Sequence, residues 1–196
     1  EFTGKTCVKS KMMISWLIEN FKFRLTSNII SSGDTEETAM HKIKNPRLPH
    51  EALFVVGGWE GKQDDPDFGP SKAVQIYNPR MDHWVRHVNN NFALNEGHAY
   101  SGCVTYLNRI YLIGGHINSG PTQSLKVFDF SRKRWHYLSP MHEKRNYVCV
   151  CLFESFIYAI GGHNGRVRLS SVEKYDIIEN KWSFVSPMRQ VRSDAG

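Results

Sequence analysis

The chain has 196 residues, 40% hydrophobic and 12% aromatic, a composition suited to one globular domain or a little more. Its formal charge of +6 arises from 25 basic and 19 acidic residues interleaved throughout, which excludes the clustered basic face of a nucleic-acid binder. The four cysteines make no CxxC or paired Cys/His spacing; this argues against a zinc site or disulfide framework and for a reduced, intracellular, cytoplasmic protein with no metal or other cofactor.

In chain order, residues 10–27 read as a helix. Ile14, Leu17, Ile18, Phe21 and Leu25 recur at helical spacing on one face, Ser10 is a candidate cap, and Lys11, Glu19, Asn20, Lys22 and Arg24 mostly fill the other face. Such a face needs a partner, so residues 1–27 are expected to be the helical tail of an upstream domain; an amphipathic membrane helix is the other reading. The run from Met12 to Ile18 is too short to span a bilayer, and no signal-peptide pattern opens the chain, which leaves one upstream open. Residues 28–50 turn polar and lose periodicity, as in a flexible linker stiffened at its end by Pro46 and Pro49.

From Ala52 onward the pattern is short strands separated by turn chemistry. The first group is Ala52–Val56, Ala73–Tyr77 and His83–His87. Gly97–Tyr106, Ile110–Ile113, Ser124–Phe128 and Trp135–Leu138 form a second group. Asn146–Phe153, Phe156–Ile160, Ser171–Tyr175 and Trp182–Val185 form a third. Turns are expected over Asn78–Met81, Ser131–Arg134 and Ile178–Lys181.

One phrase recurs three times: an apolar run ending in Gly-Gly, then a strand ending in an aromatic residue, then Trp seven residues later. The glycine pairs are Gly57-Gly58, Gly114-Gly115 and Gly161-Gly162, and the aromatic pairs are Tyr77/Trp84, Phe128/Trp135 and Tyr175/Trp182. The first glycines lie 57 and 47 residues apart, a period that marks a kelch β-propeller array. The glycines suit places where blades crowd, and the aromatics fill the wedge between blades.

These phrases resemble the kelch repeats of the BTB-Kelch (kelch-like) family over about residues 48–196, and the preceding helix resembles the tail of a BACK domain. The resemblance implies an all-β fold: a partial kelch β-propeller of about three of six four-stranded antiparallel blades, preceded by an amphipathic helix and a flexible linker. The propeller would cover 51–196, with repeats at about 51–96, 97–144 and 145–190 and a fourth starting at 191–196. The first repeat would hold three strands, so an open arc of about half a ring is expected, in a fragment of a longer protein. In that family the BTB domain binds cullin-3 and dimerises, and the propeller captures the protein to be ubiquitinated. The blocks KRWHYLSPMHEKRNYV and GRVRLSSVEKYDIIENKWSFVSPMRQVRSDA are closest to a member implying a role in spermatogenesis. Two departures stand out: Gly58 to Tyr77 spans 19 residues against 13 in the other copies, and His98 replaces the family's Arg, present as Arg145 and Arg192.

Propellers bind through rim loops on a rigid scaffold. The loops after Gly-Gly offer Trp59, His116, Asn118, His163 and Asn164. Those opening each first strand offer His98 and Tyr100, then Arg145, Asn146 and Tyr147, then Arg192, Ser193 and Asp194. By motif position these resemble the family's substrate contacts, and Arg, Tyr and Trp are the residue types of interface hot spots. Arg145 with Arg192 would grip a carboxylate or phosphate. Other readings remain open: Tyr100 and Tyr147 as packing between blades, Arg145 and Arg192 as structural pairs, and His116 with His163 as a metal site. The expected function is therefore non-enzymatic target binding, with no nucleic-acid or membrane partner and a BTB-mediated homodimer in the whole protein. The competing readings are an actin-binding scaffold and a copper oxidase of the kelch type.

Overall fold

The computed structural model describes residues 52–66, 68–79, 82–88 and 90–194. The helix predicted over 10–27 and the linker over 28–50 lie outside the described residues. Within them the chain is strand, turn and loop, with no helix. The first blade supplies β1 (Leu53–Val56), β2 (Trp59–Glu60), β3 (Gly69–Pro70), β4 (Val74–Asn78) and β5 (His83–His87). The second supplies β6 (Gly102–Tyr106), β7 (Arg109–Ile113), β8 (His116–Ile117), β9 (Gly120–Pro121), β10 (Leu125–Asp129) and β11 (Arg134–Leu138). The third supplies β12 (Cys149–Phe153), β13 (Phe156–Ile160), β14 (Val172–Asp176) and β15 (Lys181–Val185). Their antiparallel sheets run in the orders β1-β4-β5, β6-β7-β10-β11 and β12-β13-β14-β15, and β2-β3 and β8-β9 are separate two-stranded pairs.

All eleven predicted strands are present, but β6 and β12 start later than Gly97 and Asn146. The reason is a handover between blades. His98 bridges to Ser71 of the first blade, while Ala99 bridges to His116 of the second. Tyr100 and Tyr147 then take left-handed backbone angles, φ 55° and 50°, which break the extended run.

Strand alternation builds a core on both sides of the second blade. Along β7, Ile110 and Leu112 join Phe54, Val74, Phe128 and Trp135 in one apolar cluster. Tyr111 and Ile113 point the other way, to Val148, Ile157, Tyr175 and Trp182. Successive side chains of a strand face opposite ways, so a strand between two blades must be apolar throughout. The repeated aromatics close the wedge: ring centroids lie 5.1 Å apart in Tyr77/Trp84, 5.3 Å in Phe128/Trp135 and 5.0 Å in Tyr175/Trp182. The indole also reaches backwards. Trp135 donates Nε1–H to the carbonyl of Phe92, and Trp182 donates to that of Ser139, each at 2.8 Å.

The glycine pair has two separate jobs. The second glycine's N–H donates to the residue that opens the next blade: Gly58 to His98 O, Gly115 to Arg145 O and Gly162 to Arg192 O, at 2.8, 2.6 and 2.8 Å. The first sits so close that a Cβ on Gly57, Gly114 or Gly161 would run into those same carbonyl oxygens. One dipeptide thus ends a strand and clasps the next blade.

The C-terminal turns of β4 and β14 share a further device. Asp82 and Asn180 hold φ of 46° and 51°, and their side-chain oxygens accept the hydroxyls of Tyr77 and Tyr175 at 2.7 Å. The second blade has Phe128 and Lys133 at these positions, without the hydroxyl and without the bond.

Candidate functional site

The loops that follow Gly-Gly gather on one rim and touch in series. Gly69 of the first blade lies against Asn118 of the second, and Gly165 of the third lies against Pro121 of the second. In the first two blades each loop is a small hairpin, β2-β3 and β8-β9; in the third it is tied by Asn164, whose Oδ1 accepts from the N–H groups of Arg166 and Val167. The hairpins escaped the sequence reading because a two-residue strand shows no alternation.

A file of aromatic rings crosses this rim. Phe68 meets Trp59 edge to face at 5.4 Å, Trp59 stacks on Tyr100 at 5.6 Å and 28°, and Tyr100 meets Tyr147 at 4.3 Å. His116 flanks Trp59 at 5.9 Å. The insert of the first repeat supplies Phe68, and the left-handed turns at the heads of β6 and β12 place Tyr100 and Tyr147. Trp59, Tyr100, Tyr147 and His116 are half-buried and Phe68 is exposed, so ring surface remains for a partner. Burial, then the neighbouring Tyr100 and Asp194, push the Tyr147 hydroxyl up to about 12. Burial also holds the His116 imidazole below its ordinary value.

Sequence reasoning grouped thirteen residues here, and the structure separates them. Trp59, Tyr100, Tyr147 and His116 come together as described. His163 bridges Asn146 and Arg168, with its Nδ1 accepting from Gly165 N–H at 3.0 Å. Asn118 is exposed in the second hairpin. Ser193 Oγ meets Arg168 Nε at 3.1 Å, Asp194 N–H donates to Tyr147 O at 2.9 Å, and Arg192 is exposed. Phe68 is the residue missed; its only signal was its place in the insert.

Three expectations are corrected. Arg145 has 0% exposure and donates to Gly161 O, Ser171 O, Ser171 Oγ, Glu143 and Glu173. It is a strut inside the third blade and has no surface to grip a partner. His98, its counterpart, is 1% exposed, and Asn146 is 6% exposed. His98 and Arg145 sit beneath the rim because their carbonyls and N–H groups clasp the preceding blade, and Asn146 because its N–H and carbonyl pair with His163 of its own blade.

The His98 ring is held neutral. Burial, reinforced by the Lys126 ammonium and opposed by Glu96, lowers it to about 4. Its Nε2 stands 3.5 Å from Glu96 Oε1, and neither ring nitrogen meets a hydrogen-bond partner. Among the described residues no group of three or more His, Cys, Asp or Glu is gathered as a metal would need. Nor do the described residues contain a helix long and apolar enough to cross a membrane.

A family model described as the Kelch motif matches residues 97–142 and 144–189. The kelch repeat-containing protein kel-10 of Caenorhabditis elegans is 26% identical over 151 residues, covering 74% of this chain and 25% of that protein. The chain therefore spans about a quarter of the length of this curated relative. The solved structure of YjhT superposes with a TM-score of 0.60 at 18% identity, over 72% of this chain and 51% of that one, a likeness of fold alone. Together with the blade topology, these matches support a place for the chain in the kelch family, with its described residues forming a partial kelch β-propeller.

Proposed function

We propose that this chain is the target-capturing part of a cullin-3 ubiquitin-ligase adaptor. The observation that carries the protein-binding reading is the aromatic file on the rim: three blades contribute rings that keep exposed surface although packing would favour hiding them. The action is proximity. The rim holds a target while a ligase recruited through an upstream BTB domain transfers ubiquitin, so no residue of this chain needs to take part in bond making. The adaptor role, dimerisation through BTB and a setting in male germ cells rest on the resemblance of the repeats.

The test is affinity capture in two forms, wild type and Trp59→Ala/Tyr100→Ala, each checked by thermal melting. Targets, identified by mass spectrometry, should be lost from the variant while its melting temperature stays close to wild type. Retained targets would overturn the rim reading. Cullin-3 should co-purify with the protein extended through its upstream residues; co-sedimentation with actin filaments and no cullin-3 would favour a cytoskeletal scaffold instead.

A further inference from the structure

The rim is electrically graded along the aromatic file. The three loops that follow Gly-Gly are equivalent in the fold but differ in charge, the first acidic, the second neutral and the third basic. The loop of the first blade reads Lys62-Gln63-Asp64-Asp65-Pro66-Asp67, that of the second Asn118-Ser119, and that of the third Arg166-Val167-Arg168. Asp64, Asp65, Arg166 and Arg168 are exposed.

Each charged loop is fixed to one end of the file. Phe68 N–H donates to Asp65 O at 2.9 Å, which binds the acidic loop to the first ring. At the other end His163 bridges both Arg168 and Asn146, the residue before Tyr147. Asp194 also sits there, its N–H on Tyr147 O, and Arg166 and Arg168 outnumber it. Of the other acids at the first blade, Glu60 is already engaged by Ser71 and Arg86.

We infer that the rim takes an extended peptide segment of bipolar charge, with a Lys or Arg over Phe68 and the acidic loop, apolar residues along Trp59 and Tyr100, and an Asp or Glu at Arg166 and Arg168. This rests on the rim reading above and adds the chemistry of the partner. A cation at the first end meets both a ring face and carboxylates, and a carboxylate at the other meets guanidinium groups suited to it. At about 3.3 Å per residue the file spans roughly four or five residues of extended chain. Opposite charges at the two ends fix the direction of the segment and disfavour uniformly charged partners.

The experiment uses the 196-residue chain and four end-blocked peptides: Lys-Leu-Pro-Leu-Glu, its Lys/Lys and Glu/Glu forms, and a Gln/Gln form. Affinity is measured by surface plasmon resonance at about 0.15 M salt. The bipolar peptide should bind about tenfold tighter than the neutral one. Arg166→Glu/Arg168→Glu should transfer the preference to the Lys/Lys peptide, and Asp64→Lys/Asp65→Lys to the Glu/Glu peptide, both without a change in melting temperature. Equal affinity for the four peptides, an unchanged ranking after charge reversal, or no binding of the bipolar peptide would overturn the inference. Trp59→Ala separates the two layers: binding that survives it defeats the rim reading itself. Binding that it abolishes while charge reversal does nothing defeats only the bipolar partner.

Discussion

Arg145 and Glu173 form an ion pair at 3.1 Å in which neither side chain is exposed. One repeat earlier the same positions hold His98 and Lys126, and Glu143 corresponds to Glu96. The cation has changed strands: in the third blade Arg145 joins Glu173 and Glu143, while in the second Lys126 joins Glu96 at 3.0 Å. The exchange leaves traces. Ser171 Oγ accepts from Arg145, whereas its counterpart Ser124 Oγ and both ring nitrogens of His98 lack partners.

Arg145→Ala should therefore act on stability. Removing the guanidinium takes the buried cation from Glu173, which keeps only the N–H groups of His142 and Glu143 and the His142 ring, at a cost of about 3 kcal/mol. Chemical denaturation should show a large fall in the midpoint; a midpoint near wild type with weaker target binding would return Arg145 to the rim.

The charge exchange predicts a reciprocal rescue. His98→Arg alone sets two cations together beside Lys126 and should destabilise the second blade. Adding Lys126→Glu rebuilds the arrangement of the third blade and gives Ser124 a donor. A double-mutant cycle should show favourable coupling of about 2 kcal/mol, and additivity would contradict the equivalence.

His98 also predicts a pH dependence. Its folded value of about 4 lies below the ordinary 6.5, so the unfolded chain binds the proton first as pH falls. Stability should be full above 6.5, fall between 6.5 and about 4, and level below that, by about 3 kcal/mol in total for this group. His87, His116 and His136 are lowered in the same direction by burial, so the measurement is a difference. The slope of unfolding free energy against pH should be shallower in His98→Gln than in wild type.

Gly114→Ala should test the clasp between blades. The new methyl would meet Arg145 O at a backbone φ of 59°, combining left-handed strain with a clash, at about 3 kcal/mol. Gly58→Ala carries the strain of its φ of 106° but has open space at its Cβ, and without the clash it should cost less. Equal melting temperatures for the two variants would refute the distinction.

Trp182 has two roles that substitution separates. Trp182→Phe keeps most of the ring and loses the donor to Ser139 O, for about 1 kcal/mol. Trp182→Ala also opens the core between the second and third blades, for about 3–5 kcal/mol. Thermal melts of the pair should differ accordingly.

Much of the fold was legible because its signals are local. The run IYLIGG declares a strand buried on both faces, and the turn between Tyr175 and Trp182 sits within seven residues. The site was legible only in part. Trp59 and Tyr100 were named as candidates, but their stacking joins residues of different blades, and Phe68 became visible only when the insert folded back as the β2-β3 hairpin.

The sequence by itself determined the repeat, the strand order within each blade and the type of residue at each wedge position, since these depend on neighbours a few places apart. Only the tertiary structure decided which polar residues face a partner and which hold the blades. Arg145 read as a rim contact from its motif position, yet Glu173 and Gly161 draw it wholly inside. A charged side chain is committed by whichever groups surround it when solvent is excluded, and those groups lie 16 and 28 residues away along the chain.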